Sequence, residues 1–388
     1  MTRITYGMIS TDVQAGIQIN GVKLDDLMTK LSTGKLLNQP SDDSVGVSKA
    51  LKLHSQTSRQ DQYQRNMQDG QAWLATSETA LSSGNDVLQR ANELAIQGAN
   101  GTYSATERLY LRGEVRVLAD QMLSIASTSL KGEFIFSGTQ TDTPPYAIES
   151  GKDAIFALPN ANGTSLGAVP ATVQLYDTSR RDSSTPTGNP GARDVLPGTL
   201  SIPGLAEGTD YTVEYKTGKV TFLTAAATTL AATTGIQASF DSIRRSEKDM
   251  TGAVNREVQR DTTVAVNVNP DQAFGSTAQS STFDSLIDLM QGLHVNSASQ
   301  VQASMTGVGD SLQRLLSAQT SAGSRSNRVN LTLTQNRSDY LSLQEQTSMI
   351  EDVDFAKTIS DFQTRQQVYQ ASMQVGAKII QPSLLNFL

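Results

Sequence analysis

The sequence predicts an α+β fold: long helices from both chain ends form an antiparallel coiled-coil or bundle core, with a β-rich domain inserted in the middle. At both ends, apolar residues recur at alternating spacings of three and four, which is typical of coiled-coil helices. From about residue 141 to 249, the chain is rich in Gly, Thr, Pro and Ala and has short alternating runs typical of strands. The two terminal stripes match in kind and length, so the simplest arrangement pairs them.

The first helix has its apolar stripe on Tyr6, Val13, Ile17, Leu24, Leu27 and Leu31, interrupted at Ser10 and Asn20. It ends in the segment LSTGKLLNQPSDDSVGV, because glycine and proline break helices there. Ser41, Asp42 and Asp43 then supply N-cap side chains for the next helix. The candidate hinge and cap residues are Asn38, Pro40, Asp42 and Asp43.

The second helix keeps the same spacing for more than forty residues, from Leu53 to Ala95. The segment NGTYSATER marks a turn with Ser104 or Thr106 as a cap, and a third helix follows over about 105–130. We therefore expect a helical bundle domain that includes both of these elements.

Two hairpins are predicted after the third helix. The run DYTVEYKTGKVTFLT turns at Lys216, Thr217 and Gly218, inside the β-rich insertion. The run REVQRDTTVAVNVNPDQAFG indicates a second hairpin that lies back against the helices.

Two helices close the chain, over about 299–347 and 350–381. The last one has its stripe on Phe355, Ile359, Phe362, Tyr369, Met373 and Ile380, with Gln366 and Gly376 as weak points. The predicted domains are residues 1–40 with 352–388 (terminal coiled coil), 41–140 with 250–351 (helical bundle with a β-hairpin), and 141–249 (outer β domain).

Composition excludes several classes of protein. The 388 residues include no cysteine, which removes disulfides, thiolate nucleophiles and cysteine metal sites. The net charge is −7 without long runs of like charge, so neither nucleic acid nor an anionic membrane surface is favoured as a partner. No apolar run suits a membrane span, and residues 1–30 lack the apolar core of a cleaved signal peptide.

No constellation of residues supports catalysis, a metal or a cofactor. Asp42 and Asp43 would suit acid–base or metal chemistry as a carboxylate pair, but their position before a helix favours capping. His54 and His294 are far apart in sequence and in no metal-binding spacing, so each is expected to be a surface histidine or one satisfied by a partner. The sequence therefore predicts a protein that is not an enzyme.

The terminal stripes predict assembly, because a narrow pair of helices is only marginally stable by itself. Further copies or relatives would cover the remaining apolar surface, and head-to-tail contacts of this kind form rings or helical tubes. The closing leucines and phenylalanine of SLLNFL (Leu384, Leu385, Phe387 and Leu388) would pack against neighbours as well. The candidate assembly-interface residues are Val13, Ile17, Leu24, Leu27, Leu31, Phe355, Ile359, Phe362, Tyr369, Met373 and Ile380.

Three long segments resemble the terminal regions of the bacterial flagellin superfamily. They are LMTKLSTGKLLNQPSDDSVGVSKAL, YQRNMQDGQAWLATSETALSSGNDVLQRANELAIQGANGT and VDFAKTISDFQTRQQVYQASMQVGAKIIQPSLLNFL. The resemblance covers about 1–140 and 250–388. The segments MTRITYGMIS, GEFIFSGTQTDTPPY and TTVAVNVNPDQAFG are most similar to the hook-associated branch of the superfamily. Ser44 departs from the proline usual after the two aspartates, which we interpret as a small change in how the second helix begins.

The resemblance implies a structural adaptor between flagellar hook and filament, exported unfolded through the flagellar type III pathway and located outside the cell. It implies a homo-oligomeric ring that sits on the first hook-associated protein and receives flagellin above. It also implies a cytoplasmic export chaperone that recognises the C-terminal helix. Two alternatives stay open: a flagellin-type filament subunit, and another exported coiled-coil protein.

Overall fold

The structure, a computed structural model, describes residues 6–155, 171–175, 194–224, 237–246, 248–276 and 281–380. The chain divides into two compact units, Met1–Arg65 with Thr332–Leu388, and Asn66–Leu331. Long helices and small antiparallel sheets make up the described residues, so the predicted α+β class is confirmed. None of the described helices has an apolar stretch long enough to cross a membrane.

The first unit contains both terminal helices, α1 (Tyr6–Thr33) and α7 (Phe355–Ile380). These two helices pack together as an antiparallel pair, as the sequence predicted. The unit also includes the start of α2 (Ser44–Ala99) and the end of α6 (Ala298–Glu351).

The second unit is built on the rest of α2 and α6, which pack together, with α3 (Ala105–Ala126) and α5 (Thr282–His294) beside them. Apolar side chains spaced by seven along α2 and α6 are buried, as in a coiled-coil seam: Met67, Leu74, Leu81, Leu88, Val301, Val308, Leu315 and Val329. The helices also approach closely, since a Cβ added at Gly84 would lie 2.9 Å from Leu315 Cδ2.

Side-chain caps fix where the shorter helices begin. Ser104 Oγ accepts from Glu107 N at 3.3 Å, and Glu107 Oε2 accepts from Ser104 N at 2.6 Å, a capping box for α3. The buried guanidinium of Arg108 then donates to the carbonyls of Gly98 and Asn100, each at 2.9 Å. These carbonyls lie at the C-terminal end of α2, where backbone acceptors lack helical partners.

Two small hairpins accompany the helices. β1 (Ser129–Leu130) pairs with β2 (Glu133–Phe134), and β8 (Asn255–Gln259) pairs with β9 (Thr262–Ala265) in the predicted second hairpin. Arg256 Nη2 lies 3.0 Å from Asp69 Oδ2 of α2, so this hairpin lies against the helices as predicted. The short helix α4 (Pro270–Phe274) follows it.

The described part of the insertion contains two antiparallel sheets. β3 (Tyr146–Ile155) pairs with β7 (Gln237–Arg245), while β4 (Ala171–Gln174), β5 (Tyr211–Glu214) and β6 (Lys219–Phe222) form a sheet in the order β4–β6–β5. The β5–β6 turn includes the predicted Lys216, Thr217 and Gly218, and Gly218 has a φ of 65°. The aromatic side chains of Tyr211, Tyr215 and Phe222 are buried and form much of the core of this hairpin.

Several elements differ from the sequence prediction, and the β1–β2 hairpin and helix α4 are among them, since neither was predicted. The third helix ends at Ala126 rather than near 130, because Thr128 Oγ1 donates to Ile125 O at 2.7 Å and the chain then enters β1. Helix α5 was not predicted as a separate element, although it is almost entirely buried. Its signal was the capping box Ser281-x-x-Asp284 before a short apolar run.

Candidate assembly interface

The face of α1 that contacts α7 keeps a regular spacing of three and four residues. Half-buried positions follow one another from Ser10 to Leu31, and all five predicted α1 residues belong to them: Val13, Ile17, Leu24, Leu27 and Leu31. No described residue of α1 is fully buried. The pair therefore has a seam, but it has no closed core of its own along α1.

Close contacts define how α1 and α7 align. Asn20 Nδ2 donates to Ser372 Oγ at 3.3 Å, and Gly34 lies beside the ring of Phe355. Gly376 is buried, and a Cβ added there would meet Ile17 Cδ1 at 2.9 Å. The glycine that weakened the predicted stripe thus allows the two backbones to approach.

The face of α7 that contacts α1 coincides with the predicted stripe at some positions and lies one residue before it at others. Phe362 and Tyr369 are half-buried, as are Arg365 and Ser372, while Thr358 is buried. The apolar stripe of α7 is therefore wider than its contact with α1.

The remaining predicted α7 residues lie on the flank of that contact. Phe355, Ile359 and Met373 are 53%, 45% and 50% exposed. Ile380 is the last residue of α7, and its side chain lies outside what the structure describes. Leu384, Leu385, Phe387 and Leu388 also lie outside the described residues.

A second apolar strip lies on the side of α1 opposite the seam. Met8, Ile19 and Val22 share this side, because 3.6 residues per turn brings them within one narrow arc. All three are exposed, Val22 by 71%. Exposed apolar residues on one helix face mark a surface for interaction.

A clasp ties together the two segments that connect the terminal helices to α2 and α6. Leu36 N donates to Glu351 O at 2.5 Å and Val353 N donates to Gly34 O at 3.1 Å, around an antiparallel bridge between Lys35 and Asp352. The Lys35 ammonium also contacts the Asp352 carboxylate at 2.7 Å. This hydrogen bond is the main cause that raises the pKa of Lys35 and lowers that of Asp352.

His54 of α2 joins the clasp, with Nε2 2.7 Å from Glu351 Oε1. Sequence reasoning missed the clasp, since its members are far apart in the chain and follow no motif.

The hinge and cap residues have separate roles in the local structure. Asp42 Oδ2 accepts from the backbone N–H groups of Gln39 and Asn38 at 2.8 and 2.9 Å, and these bonds lower the pKa of Asp42. Asp43 Oδ1 accepts from Val45 N at 3.0 Å, which caps the first turn of α2. Pro40 is exposed in the turn between Gln39 and Asp42. A hinge role for these residues stays a prediction.

His294 belongs to a polar cluster between the insertion and the helices. Its Nε2 lies 3.1 Å from Glu207 Oε1, and Arg112 Nη1 lies 2.6 Å from its Nδ1. Because arginine can only donate, Nδ1 accepts and Nε2 carries the proton that faces Glu207. Tyr215 Oη donates to the same Glu207 oxygen at 2.6 Å. His294 is thus a satisfied histidine, as predicted.

No group of three or more potential metal ligands lies together among the residues that the structure describes. The Asp42 and Asp43 carboxylates are used in bonds to the backbone, and each histidine faces a glutamate. The arrangement is suited to packing and assembly.

Two family models match the chain. The bacterial flagellin N-terminal helical region matches residues 4–141, and the bacterial flagellin C-terminal helical region matches residues 305–388. Together they cover more than half of the chain and include α1, α2, α3, α7 and most of α6.

Several known proteins are similar to the chain. A flagellar filament 33 kDa core protein of Treponema phagedenis is 32% identical over 154 residues, which is 40% of this chain and 52% of the relative. Flagellar hook-associated protein 3 of Escherichia coli is 33% identical over 124 residues, 32% of this chain and 39% of the relative. A flagellin of Clostridium tyrobutyricum is 23% identical over 392 residues, 97% of this chain and 98% of the relative. The chain spans about half the length of the first of these curated relatives.

Among solved structures, a putative flagellar hook-associated protein from Vibrio parahaemolyticus has the same fold, with a TM-score of 0.52 and 17% identity. The alignment covers 80% of this chain and 99% of that one. With both helical regions matched in order and the fold shared, the chain belongs to the bacterial flagellin superfamily, whose members are structural proteins of the flagellum.

Proposed function

We propose that the chain is a structural adaptor of the flagellum, a counterpart of the third hook-associated protein, that joins the hook to the flagellin filament. The observation that carries this proposal is the terminal pair of α1 and α7, which buries one seam and leaves apolar side chains exposed on both helices. Such surface is stabilised by burial, at about 25 cal/mol per Å² of apolar area.

The occupants of that surface are further copies of the chain and its flagellar relatives. Copies side by side form a ring, the first hook-associated protein lies below it, and flagellin lies above. The assembly-interface residues divide into two groups in this proposal. The α1 seam with Phe362 and Tyr369 holds one subunit's pair together, while Phe355, Ile359 and Met373 face neighbours.

Export precedes assembly. We infer that the chain leaves the cell unfolded through the flagellar type III pathway without a cleaved signal peptide, and that a cytoplasmic chaperone covers α7 before export. The exposed apolar flank of α7 supports the chaperone step. Without a cover, these apolar side chains would promote aggregation of the chain before assembly.

We assign the three predicted domains to positions from the inside of the assembly to its outside. Residues 1–40 with 352–388 form the inner assembly domain, 41–140 with 250–351 form the helical domain, and 141–249 form an outer domain that faces away from the axis. Asn38, Pro40, Asp42 and Asp43 shape the hinge between the first two domains.

A flagellin-type filament subunit is the second candidate. It is favoured by the alignment to the Clostridium tyrobutyricum flagellin, which runs along nearly the whole of both chains. The two functions differ in a simple assay with purified protein and short filament seeds. A filament subunit elongates the seeds, whereas an adaptor does not.

The adaptor function is tested in cells that lack this chain. Electron microscopy should show hooks without filaments, with flagellin lost to the medium, and the wild-type gene should restore filaments. Val22→Asp places a charge in the exposed strip of α1 and should fail to restore them. Gln14→Asp adds the same charge at an exposed polar position and should restore them. Normal filaments in the deletion strain would refute the adaptor function, and normal filaments with Val22→Asp would refute the role of the strip.

A further inference from the structure

One heptad row on each helix of the α2–α6 pair is interrupted once by an amide. Every seventh residue of α6 is apolar except one, in the series Val301, Val308, Leu315, Ala322, Val329, Asn336, Leu343 and Ile350. The matching series on α2 is Leu53, Gln60, Met67, Leu74, Leu81, Leu88 and Ala95. Each helix thus has a single amide in a row of otherwise apolar residues.

The two amides meet. Asn336 Nδ2 donates to Gln60 Oε1, and Asn336 is only 4% exposed. Its Oδ1 has no hydrogen-bond partner among the residues described by the structure. A buried amide that is only half satisfied lowers stability compared with an apolar pair of similar size. Stability alone therefore does not account for the layer.

We propose that the Gln60–Asn336 layer determines the register in which α2 and α6 pair. A polar residue at one seam position of a coiled coil is known to specify register at a cost in stability. A slip of one heptad would place Asn336 against Leu53 and Gln60 against Val329, or, in the other direction, Asn336 against Met67 and Gln60 against Leu343. Both amides would then be buried against apolar side chains, so slipped pairings are penalised more strongly than an apolar seam would penalise them.

A layer that fixes the register is useful in a chain whose long helices have similar apolar stripes. Helices α1, α2, α6 and α7 all have apolar residues at spacings of three and four, and an apolar stripe by itself does not select one alignment. Gln60 and Asn336 are hydrogen-bonded to each other only in the native alignment. Two further amide pairs across the same helices, Gln71 with Asn330 and Asn85 with Gln319, favour that alignment as well. The inference does not depend on the proposed adaptor function, since it concerns folding of the free chain.

Cysteine cross-linking can measure the register, because the natural sequence has no cysteine. The side-chain tips of Gln71 and Asn330 meet, with Nε2 2.8 Å from Oδ1, so a short thiol-reactive cross-linker between Gln71→Cys and Asn330→Cys reports the native register. Gln71→Cys with Gly323→Cys or with Arg337→Cys reports a slip of one heptad in either direction. The full-length chain is unfolded in denaturant, refolded and treated with the cross-linker in each case.

Three backgrounds are compared, each with Asn85→Ala so that Asn85 no longer pairs with Gln319: the native layer, Gln60→Leu with Asn336→Leu, and the exchanged pair Gln60→Asn with Asn336→Gln. The native and exchanged layers should form only the native cross-link. The leucine layer should raise the melting temperature and produce slipped cross-links in a substantial fraction of molecules. If the leucine variant does not refold, Gln60→Ala with Asn336→Ala removes the same amides without added volume and should also slip.

The proposal is overturned if the amide-free variant gives only the native cross-link after refolding. It is also overturned if the exchanged pair slips as much as the leucine layer, because packing volume rather than amide bonding would then set the register.

Discussion

At the scale of single residues, the Glu207 carboxylate links the insertion to the helices and makes their contact sensitive to acid. Burial raises its pKa, but hydrogen bonds from His294 and Tyr215 and the charge of Arg112 outweigh burial, so its pKa in the folded chain is lowered. Because the pKa is lowered, ionised Glu207 stabilises the fold at pH values above the pKa that Glu207 has in the unfolded chain. That stability is lost as pH falls through the folded pKa.

We expect Glu207→Gln to lower the free energy of unfolding by about 1.5–3 kcal/mol at pH 7, the usual value of a hydrogen bond to a charged group. The difference from wild type should shrink as the pH falls through the folded pKa of Glu207. Urea unfolding at pH 7 and at about pH 2.5, well below the ordinary pKa of a glutamate, measures both effects. Glu133→Gln, at an exposed strand position, is the control and should change little. A Glu207→Gln deficit that is the same at both pH values would contradict the explanation.

Gly138, at the entry to the insertion, is required for two physical reasons. Its φ is +59°, and a Cβ added there would lie 2.1 Å from the carbonyl oxygen of Met250, an atom of the backbone that cannot rotate away. Gly138→Ala should therefore cost about 3 kcal/mol or more. Gly132 has a φ of +88° but open space around it, so Gly132→Ala should cost only about 1–2 kcal/mol. Equal melting temperatures for the two variants would show that the close approach does not matter.

At the scale of helices, the predicted stripe of α1 coincides with its half-buried face, whereas the predicted stripe of α7 coincides with its contact face at only some positions. On α1, the apolar series from Val13 to Leu31 lies on the half-buried face, whereas the strip of Met8, Ile19 and Val22 lies opposite it. On α7, Ile359 and Met373 each follow by one position the contact residues Thr358 and Ser372. The alignment depends on the Asn20–Ser372 bond and on the close approach at Gly376, which are tertiary contacts. Helical periodicity alone does not contain that information.

The division of the α7 stripe gives different predictions for its two groups. Leu27→Ser with Phe362→Ser should destabilise the α1–α7 pair by about 1–2 kcal/mol per side chain, since each is half-buried in the seam. Circular dichroism should show lost helix, while near-ultraviolet signals from the Asn66–Leu331 unit persist, and cells should shed unpolymerised flagellin. Ile359→Ser, on the exposed flank, should keep the helix content and still impair filament attachment. Normal filaments with the double variant would contradict the assembly role of the seam.

The clasp and helix α5 show two different limits of sequence reasoning. The clasp joins Lys35, His54 and Asp352 through contacts between distant parts of the chain, so no local pattern marks it. Helix α5 does have a local signal in its Ser281 cap, but its buried residues lie on nearly all sides and conceal the amphipathic period. The clasp can be recognised only once the fold is known. Helix α5 could have been predicted from its N-cap.

At the scale of the whole molecule, the two compact units should differ in stability before assembly. The α1 seam is half-buried throughout, while the α6 positions from Val301 to Val329 at heptad spacing are buried. Helices with few buried apolar contacts open at lower free energy, so amide hydrogen exchange in α1 and α7 should be at least about tenfold faster than in that part of α6. Mass spectrometry of the purified full-length chain measures this directly.

Assembly should then reverse the difference. When further copies and flagellar relatives cover the exposed flanks, exchange in α1 and α7 should slow, while exchange in the Asn66–Leu331 unit should change little. The measurement compares free chain with chain incorporated into isolated hook–filament junctions. Equal protection of α1 in both states would mean that the pair is already complete in the free chain, and its exposed apolar strip would then have no part in assembly.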